Sequence, residues 1–152
     1  MVILCGDVPL ILPETIKGLV KEHLDSRRDI SLLAVELENP AGYGRILLDA
    51  NRQLIGIIEE SDATVEQKQI NLINSGIYCV RKEFLSVALP NINPNNAQGE
   101  IYLTDIISIG YKCSKNMGLM IGDNYQQILG INTWEDLKAV EAILRARLRI
   151  IA

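Results

Sequence analysis

The segment that most constrains the fold lies at the start of the chain, in the sequence Val2-Ile3-Leu4-Cys5-Gly6-Asp7-Val8-Pro9-Leu10. An apolar run ends in a Gly-Asp pair, and a proline then breaks it. A short apolar run bounded by such a turn predicts a buried inner strand of a parallel sheet. Ligands of open α/β sheets bind just beyond the carboxyl ends of such strands, so Asp7 is a candidate metal or substrate ligand. Aspartate is also a common turn residue, and Asp7 could instead cap the loop before Pro9.

Composition narrows the class of protein. The 152 residues suit a single domain, 1–152, and a domain of this length buries roughly 70% of the surface that its unfolded chain exposes. Hydrophobic residues make up 48% of the chain, yet no apolar stretch approaches the roughly 20 residues that cross a bilayer, and no cleavable leader precedes the first strand. We therefore expect a soluble, cytoplasmic protein without a membrane partner. The net charge of −4 argues against nucleic-acid binding, which needs a basic face.

The cysteines indicate neither a disulfide framework nor a metal site. Cys5, Cys79 and Cys113 show no CxxC spacing, and His23 is the one histidine that could share a metal with them. We expect all three cysteines to be reduced residues of the core.

The remaining hydrophobic pattern alternates strands with helices. Pro13 and Glu14 predict a helix start, because proline and an acid favour the first turn. Strands are predicted at 2–5, 30–37, 46–48, 54–58, 72–80, 118–121 and 127–130, with a hairpin turning at Asn51-Arg52, and helices at 13–24, 62–69, 82–89, 103–112 and from about 133. This alternation predicts an α/β fold.

The final helix is the clearest local prediction. Its apolar residues recur at steps of three and four, which predicts one apolar face. They are Trp134, Leu137, Val140, Leu144 and Leu148. Thr133 and Asp136 stand three residues apart at its start and approximate a capping box.

Polar residues and a glycine stand where predicted strands end. They are Asp7, Gly44, Glu59, Asn74 and Asn132. Gly42 and Gly44 let a ligand approach the backbone closely, although the loop could simply need a positive φ. Glu59 is either an ordinary exposed acid or a ligand at the rim of the sheet. A buried Asn74 amide needs partners from backbone or ligand, because an unpaired one costs about 1–3 kcal/mol. Asn132 precedes the final helix, where a turn role is equally natural.

A series of motifs follows along the chain: Gly6-Asp7-Val8-Pro9-Leu10, Asn39-Pro40-Ala41-Gly42-Tyr43-Gly44-Arg45-Ile46, Ile73-Asn74-Ser75-Gly76-Ile77, Asn95-Asn96-Ala97-Gln98-Gly99-Glu100-Ile101-Tyr102-Leu103-Thr104-Asp105 and Gly130-Ile131-Asn132. In this order they resemble the bacterial N-acetylglucosamine-1-phosphate uridyltransferases, the pyrophosphorylase half of a bifunctional enzyme, over nearly the whole chain. The first motif alone also resembles sugar-acid cytidylyltransferases and molybdopterin nucleotidyltransferases. The resemblance implies the C-terminal part of the uridyltransferase domain. The implied fold is a partial Rossmann-like nucleotide-diphospho-sugar transferase fold, with a mixed, mostly parallel sheet flanked by helices.

The resemblance also implies an activity and a site. Asp7 and Asn132 would hold a catalytic Mg²⁺, a hard ion that keeps waters and phosphate oxygens as its other ligands. The sugar-nucleotide site would be lined by Cys5, Gly6, Asp7, Gly44, Glu59, Asn74 and Asn132, with Tyr102 and Thr104 near the sugar or its phosphate. The implied reaction is attack of N-acetylglucosamine 1-phosphate on the α-phosphorus of UTP, which gives UDP-N-acetylglucosamine and pyrophosphate. Such chemistry relies on positioning and charge neutralisation.

The sequence departs from the family pattern. Cys5 stands where the family usually has tyrosine, so any ligand contact there would use the backbone. The family's glycine-rich Gly-Thr-Arg loop, its phosphate-binding lysine and its uracil-reading residues have no equivalent, and no hexapeptide repeat of the acetyltransferase half follows. The chain also opens inside a predicted buried strand, whereas domain termini usually lie at the surface. We therefore expect a fragment whose upstream part is absent.

Three hypotheses compete. The first is a part of a uridyltransferase that is inactive by itself. Another sugar or molybdopterin nucleotidyltransferase is the second, and a non-catalytic module that binds a sugar nucleotide or a protein is the third. An unpaired strand at 2–5 would seek a partner, so we also expect self-association through it.

Overall fold

Strands and helices follow one another largely as the sequence predicts. A computed structural model describes residues 1–151 and the side chains of residues 1–149. The strands are β1 (Val2–Ile3), β2 (Ile30–Glu36), β3 (Arg45–Leu48), β4 (Leu54–Ile58), β5 (Leu72–Val80) and β6 (Met117–Gly122). The helices are α1 (Pro13–Asp25), α2 (Lys82–Ala88), α3 (Asp105–Lys112) and α4 (Trp134–Ile151).

The six described strands form one mixed sheet. Its order is β4-β3-β5-β2-β6, and β1 pairs with β5. Cys79 of β5 pairs with Val2 of β1 and with Ser31 of β2, both antiparallel. β1 and β2 therefore run in the same direction with β5 between them, and α1 connects them. Their carboxyl ends lie at one edge of the sheet, where ligands of this fold class bind.

The predicted mixed sheet flanked by helices is confirmed, but its predicted excess of parallel pairs is not found. Among the described strands, only β2 and β6 pair in parallel. β3 and β4 form a hairpin, and β5 returns beside β2 in the opposite direction. Antiparallel neighbours need only short connections, whereas each parallel pair needs a crossover.

The centre of the sheet is buried on both faces. Ile30, Leu32 and Ala34 of β2 pack in a cluster with residues of α2 and α3. Leu33 and Val35, which point to the other face, pack in a second cluster with α1. This double burial explains the run of four apolar residues, 32–35, within β2.

The N-terminal strand differs from its prediction. β1 comprises two residues, and Val2 and Leu4 are 38% and 47% exposed, so the predicted buried strand at 2–5 is wrong. Among the described strands, β1 pairs only with β5. The cysteines are free as predicted, but Cys5 and Cys113 are exposed, and only Cys79 is buried.

The segment 127–130 is not a strand. Residues 125–128 form a short 3₁₀ turn instead. Gln127 is buried there, and its Oε1 accepts hydrogen bonds from Thr15 Oγ1 (2.6 Å) and Leu12 N (3.2 Å) at the start of α1. The Gln127 side chain thus caps the start of α1, and this contact favours a turn over a strand at this position. The predicted helix at 62–69 is likewise reduced to a 3₁₀ turn at 67–69.

Helix α4 is present, but its apolar stripe faces outward. Val140 is buried, whereas the other predicted face residues are exposed: Trp134, Leu137, Leu144 and Leu148. The helix is held on a neighbouring face, where Arg147 Nη1 donates to the Leu10 carbonyl over 2.8 Å. No described helix is long and apolar enough to cross a membrane.

Candidate active site

Asp7 and Asn132 lie close together although they come from opposite ends of the chain. Ile131 N donates to the Asp7 carbonyl over 2.9 Å and so joins the loop after β1 to the loop before α4. A Cβ at Gly130 would lie 3.4 Å from Asp7 Oδ2 and 3.7 Å from Asn132 Nδ2. Both side chains therefore border the space that this glycine leaves open.

This pair fits a weakly held Mg²⁺. Asp7 and Asn132 are exposed, and a carboxylate beside an amide offers the oxygen ligands that Mg²⁺ takes. No group of three or more His, Cys, Asp or Glu side chains that could hold a metal occurs among the described residues. Phosphate and water oxygens would thus have to complete the coordination.

The first turn of α4 fixes the backbone at Asn132. Asp136 Oδ2 accepts hydrogen bonds from Thr133 N (2.9 Å) and Asn132 N (3.1 Å), and Thr133 Oγ1 accepts one from Asp136 N (3.1 Å). This reciprocal arrangement confirms the predicted capping box. The Thr133 side chain, together with the two backbone donors, lowers the pKa of Asp136.

A second group of residues surrounds the Glu59 carboxylate at the end of β4. Thr104 Oγ1, just before α3, donates to Glu59 Oε1 over 3.0 Å. A Cβ at Gly44 would lie 3.0 Å from Glu59 Oε2, so only glycine allows this approach without displacement. Burial raises the pKa of Glu59, and the Thr104 hydrogen bond opposes that shift. The carboxylates of Asp62 and Asp105 add a smaller upward shift.

Asn74 connects this group to a bulge in β5. Its backbone N–H donates to the Gly44 carbonyl over 2.8 Å. Its Oδ1 accepts from Tyr78 OH and Gly76 N, each at 3.0 Å. Gly76 has φ +75°, and the pairing with β2 shifts register opposite Leu33. The bulge thus turns Asn74 and Tyr78 toward each other.

Cys5 lies between the Asp7 pair and the β5 bulge. Its Sγ lies 3.6 Å from the Gly76 carbonyl, and a Cβ at Gly76 would come within 2.5 Å of that sulfur. Burial, and then the nearby Asp7 carboxylate, raise the pKa of the Cys5 thiol. Gly6 lies in the adjoining turn with open space where a Cβ would be. Cys5, which follows β1, therefore lies beside the bulge in β5.

Tyr102 is less closely tied to the others. It is half-buried, and its hydroxyl donates to Gln98 Oε1 over 2.7 Å. No described hydrogen bond joins it to Glu59 or Asn74, although Thr104 two residues later reaches Glu59.

Sequence reasoning missed Tyr78 and the loop contacts of Tyr43. Tyr78 stands four residues after Asn74 on the same strand, a spacing that puts both side chains on one face. Burial, and then the Asp136 carboxylate, raise the pKa of Tyr43.

A larger cleft lies elsewhere. It measures about 900 Å³ and runs between the β3–β4 hairpin, the end of α3 and β6. Beside Asn132 there is a smaller hollow of about 250 Å³, lined by residues 131–134 and Leu137. The mutual contacts of the candidate residues define the site, and one of these residues, Asn132, lines the smaller hollow.

Comparisons with known proteins agree with this fold and identify its family. The chain is 45% identical over 152 residues to the bifunctional protein GlmU of Alkaliphilus oremlandii, and 40% identical over 148 residues to that of Clostridioides difficile. Each match covers 97% of this chain and 32% of the relative, so the chain spans about a third of their length. A crystal structure from Bacillus anthracis, described as a putative glucose-1-phosphate thymidylyltransferase in complex with a sucrose, has the same fold, with TM-score 0.68, 21% identity, and coverage of 95% of this chain and 54% of that one. The family described as nucleotidyl transferase matches residues 1–152. The chain belongs to the nucleotidyl transferase family.

Proposed function

We propose that this chain forms the sugar-phosphate-binding and metal-binding part of a cytoplasmic enzyme that transfers UMP from UTP to N-acetylglucosamine 1-phosphate. The observation that carries the proposal is the approach of Asp7 and Asn132 across Gly130, together with the contacts of Cys5 with Gly76 and of Asn74 with Gly44 that connect this pair to the group around Glu59. Nucleotidyl transfer needs charge neutralisation at the phosphates beside a pocket that orients the sugar. We assign the charge neutralisation to Asp7 and Asn132 and the orientation of the sugar to the group around Glu59.

In the proposed reaction, an oxygen of the sugar phosphate attacks the α-phosphorus of UTP. A new P–O bond forms, the bond from that phosphorus to the bridging oxygen breaks, and pyrophosphate leaves with the bonding electrons. Asp7 and Asn132 would hold Mg²⁺, which when bound neutralises charge on phosphate oxygens. Glu59 would accept hydrogen bonds from sugar hydroxyls, and the Asn74 amide would donate to the ligand.

The extent of the chain bears on its activity. It spans about a third of the length of the GlmU proteins named above. No glycine-rich Gly-Thr-Arg loop for the triphosphate is present in its sequence. We therefore propose that the chain binds the sugar nucleotide without turning over UTP. A non-catalytic binding module and a different nucleotidyltransferase are the alternatives.

Calorimetric titration of the chain with UDP-N-acetylglucosamine tests the proposal. Binding should strengthen with added Mg²⁺, and Asp7→Asn should remove that gain while sparing the Mg²⁺-free affinity. Asp123→Asn is the matched control, since Asp123 is an aspartate that follows β6 as Asp7 follows β1. No binding, or binding that ignores Mg²⁺, would refute the proposal. Tighter binding of another sugar nucleotide would favour a different nucleotidyltransferase.

A further inference from the structure

Arg45 is an unusual residue for its position. It begins β3 and is 1% exposed, although it carries a charge. Its Nη2 donates to Glu60 Oε2 over 2.6 Å, and its Nη1 donates to the Tyr43 carbonyl. The guanidinium thus reaches back to the loop that precedes its own strand.

Glu60 holds the same loop from the other side. Its Oε2 also accepts from Gly42 N over 3.3 Å, and its Oε1 lies 3.6 Å from Lys68 Nζ. The N–H of Gly42 and the carbonyl of Tyr43 are therefore fixed by two members of one ion pair. Gly42 has φ +85°, a left-handed conformation that glycine adopts readily but that is one of several open to it.

The fixed loop leads directly into the candidate site. The next residue, Gly44, accepts the backbone hydrogen bond from Asn74 and allows the close approach of Glu59. A shift of the Gly42–Gly44 backbone would therefore move both groups that we assign to the sugar.

Fold stability alone does not account well for this pair. Arg45 Nε is buried without a hydrogen-bond partner in the described chain. Only the Arg45 side of the pair is buried, since the Glu60 side chain is 35% exposed, and a buried charge with an unsatisfied donor contributes little net stability. A role in fixing one conformation of the neighbouring backbone explains such a pair better than a role in stability.

We propose that Arg45 and Glu60 are positioning residues that hold the Gly42–Gly44 backbone in the conformation that binds the sugar nucleotide. The inference rests on the proposed function, because it assigns the loop to that ligand. Neither side chain needs to touch the ligand itself.

Glu60→Ala and Arg45→Lys test the inference, with two measurements on each variant. The first is hydrogen exchange of the Gly42 amide by NMR, which reports the loop whether or not ligand is present. The second is the affinity for UDP-N-acetylglucosamine, measured well below each variant's unfolding midpoint. Both variants should speed the exchange and weaken binding between about tenfold and a hundredfold. The double variant should be no weaker than either single one, because both break one contact.

Two further variants separate positioning from general destabilisation. Glu60→Gln keeps an acceptor oxygen and should restore part of the affinity and of the slow exchange. Glu141→Ala is the matched control, since Glu141 forms an exposed pair with Arg145, also at 2.6 Å, on α4, and should change neither measurement.

The outcomes are distinguishable. Unchanged Gly42 exchange in Glu60→Ala and Arg45→Lys would overturn the inference, and so would a loosened loop with unchanged affinity. If the parent chain fails to bind the sugar nucleotide, the proposed function fails. Faster exchange would then still support the role of the pair in holding the loop, and unchanged exchange would still overturn it.

Discussion

Glu59 is a residue of the candidate site whose charged form is disfavoured by its burial. Burial raises its pKa above the ordinary value of 4.5, so the folded chain holds this proton more tightly than the unfolded chain. The stabilisation linked to that proton is fully present below about pH 4.5 and is lost as the pH rises through the raised pKa. At neutral pH the Glu59 carboxylate is therefore charged and partly buried, which lowers the stability of the folded chain.

We predict that Glu59→Gln stabilises the chain at neutral pH. Glutamine keeps an acceptor for Thr104 and removes the charge, so the free energy of unfolding should rise by roughly 0.5–1 kcal/mol. The gain should shrink on acidification toward about pH 4.5, where Glu59 is itself protonated. Urea unfolding at several pH values measures both effects. Glu83→Gln, at an exposed position of α2, is the control, and an equal response there would contradict the prediction.

Gly44 is the second residue on which a sharp prediction rests. A Cβ there would lie 3.0 Å from both Glu59 Oε2 and Ile57 Cγ2, so Gly44→Val should displace the carboxylate and abolish binding of UDP-N-acetylglucosamine. Gly56→Val, on the adjacent strand, adds a Cβ at an ordinary 3.8 Å from Leu47 Cδ1 and should bind nearly as the parent does. Calorimetry on both variants makes the comparison. Equal binding by Gly44→Val and the parent would remove this loop from the site.

At the scale of elements, predictions succeed where the information is local. The prediction of β5 at 72–80 agrees with its observed ends, and the capping box at Thr133 and Asp136 is confirmed. Both follow from residues adjacent in sequence. The exposure of β1 and of the apolar stripe of α4 depends on which other elements pack against them. A local sequence pattern does not contain that information. Gln127 adopts a turn because it caps α1, a contact between distant parts of the chain.

The same division applies to the candidate site. Strand ends and motifs in the sequence pick out Gly44, Glu59 and Asn74, and the fold brings these three residues together. The spacing puts Tyr78 on the same face as Asn74, but their hydrogen bond depends on the bulge at Gly76, which no local sequence pattern indicates. Arg45 is not predicted because a charged residue at a strand start gives no sign of full burial. The roles of all these residues toward a ligand stay predictions.

The start of α4 gives a prediction at this scale. Thr133→Ala removes the hydroxyl that accepts from Asp136 N, and loss of such a cap costs about 1 kcal/mol of helix stability. Hydrogen exchange of the Leu137 amide, which bonds to the Thr133 carbonyl in the first turn, should speed up accordingly. Thr133→Ser retains the hydroxyl and should leave exchange near the parent rate. Equal protection in both variants would show that packing, and not the cap, holds this turn.

For the whole molecule, the open edge at β1 is the dominant feature. Met1 and Val80 exchange both backbone hydrogen bonds, Val80 N to Met1 O and Met1 N to Val80 O. Because such bonds alternate along an antiparallel pair, the backbone groups of Val2 point away from β5. With Val2 and Leu4 exposed beside them, this edge offers both unpaired hydrogen bonds and apolar surface.

We predict that the chain self-associates by pairing this edge with that of a second copy. Val2→Pro removes an outward N–H and no bond to β5, so it should shift the sedimentation profile toward monomer. Val2→Thr keeps that donor and the preference for strand structure, and it should associate as the parent does. A parent chain that stays monomeric at high concentration would refute the prediction. So would association that survives Val2→Pro unchanged, since the contact would then lie on another surface, such as the outward stripe of α4.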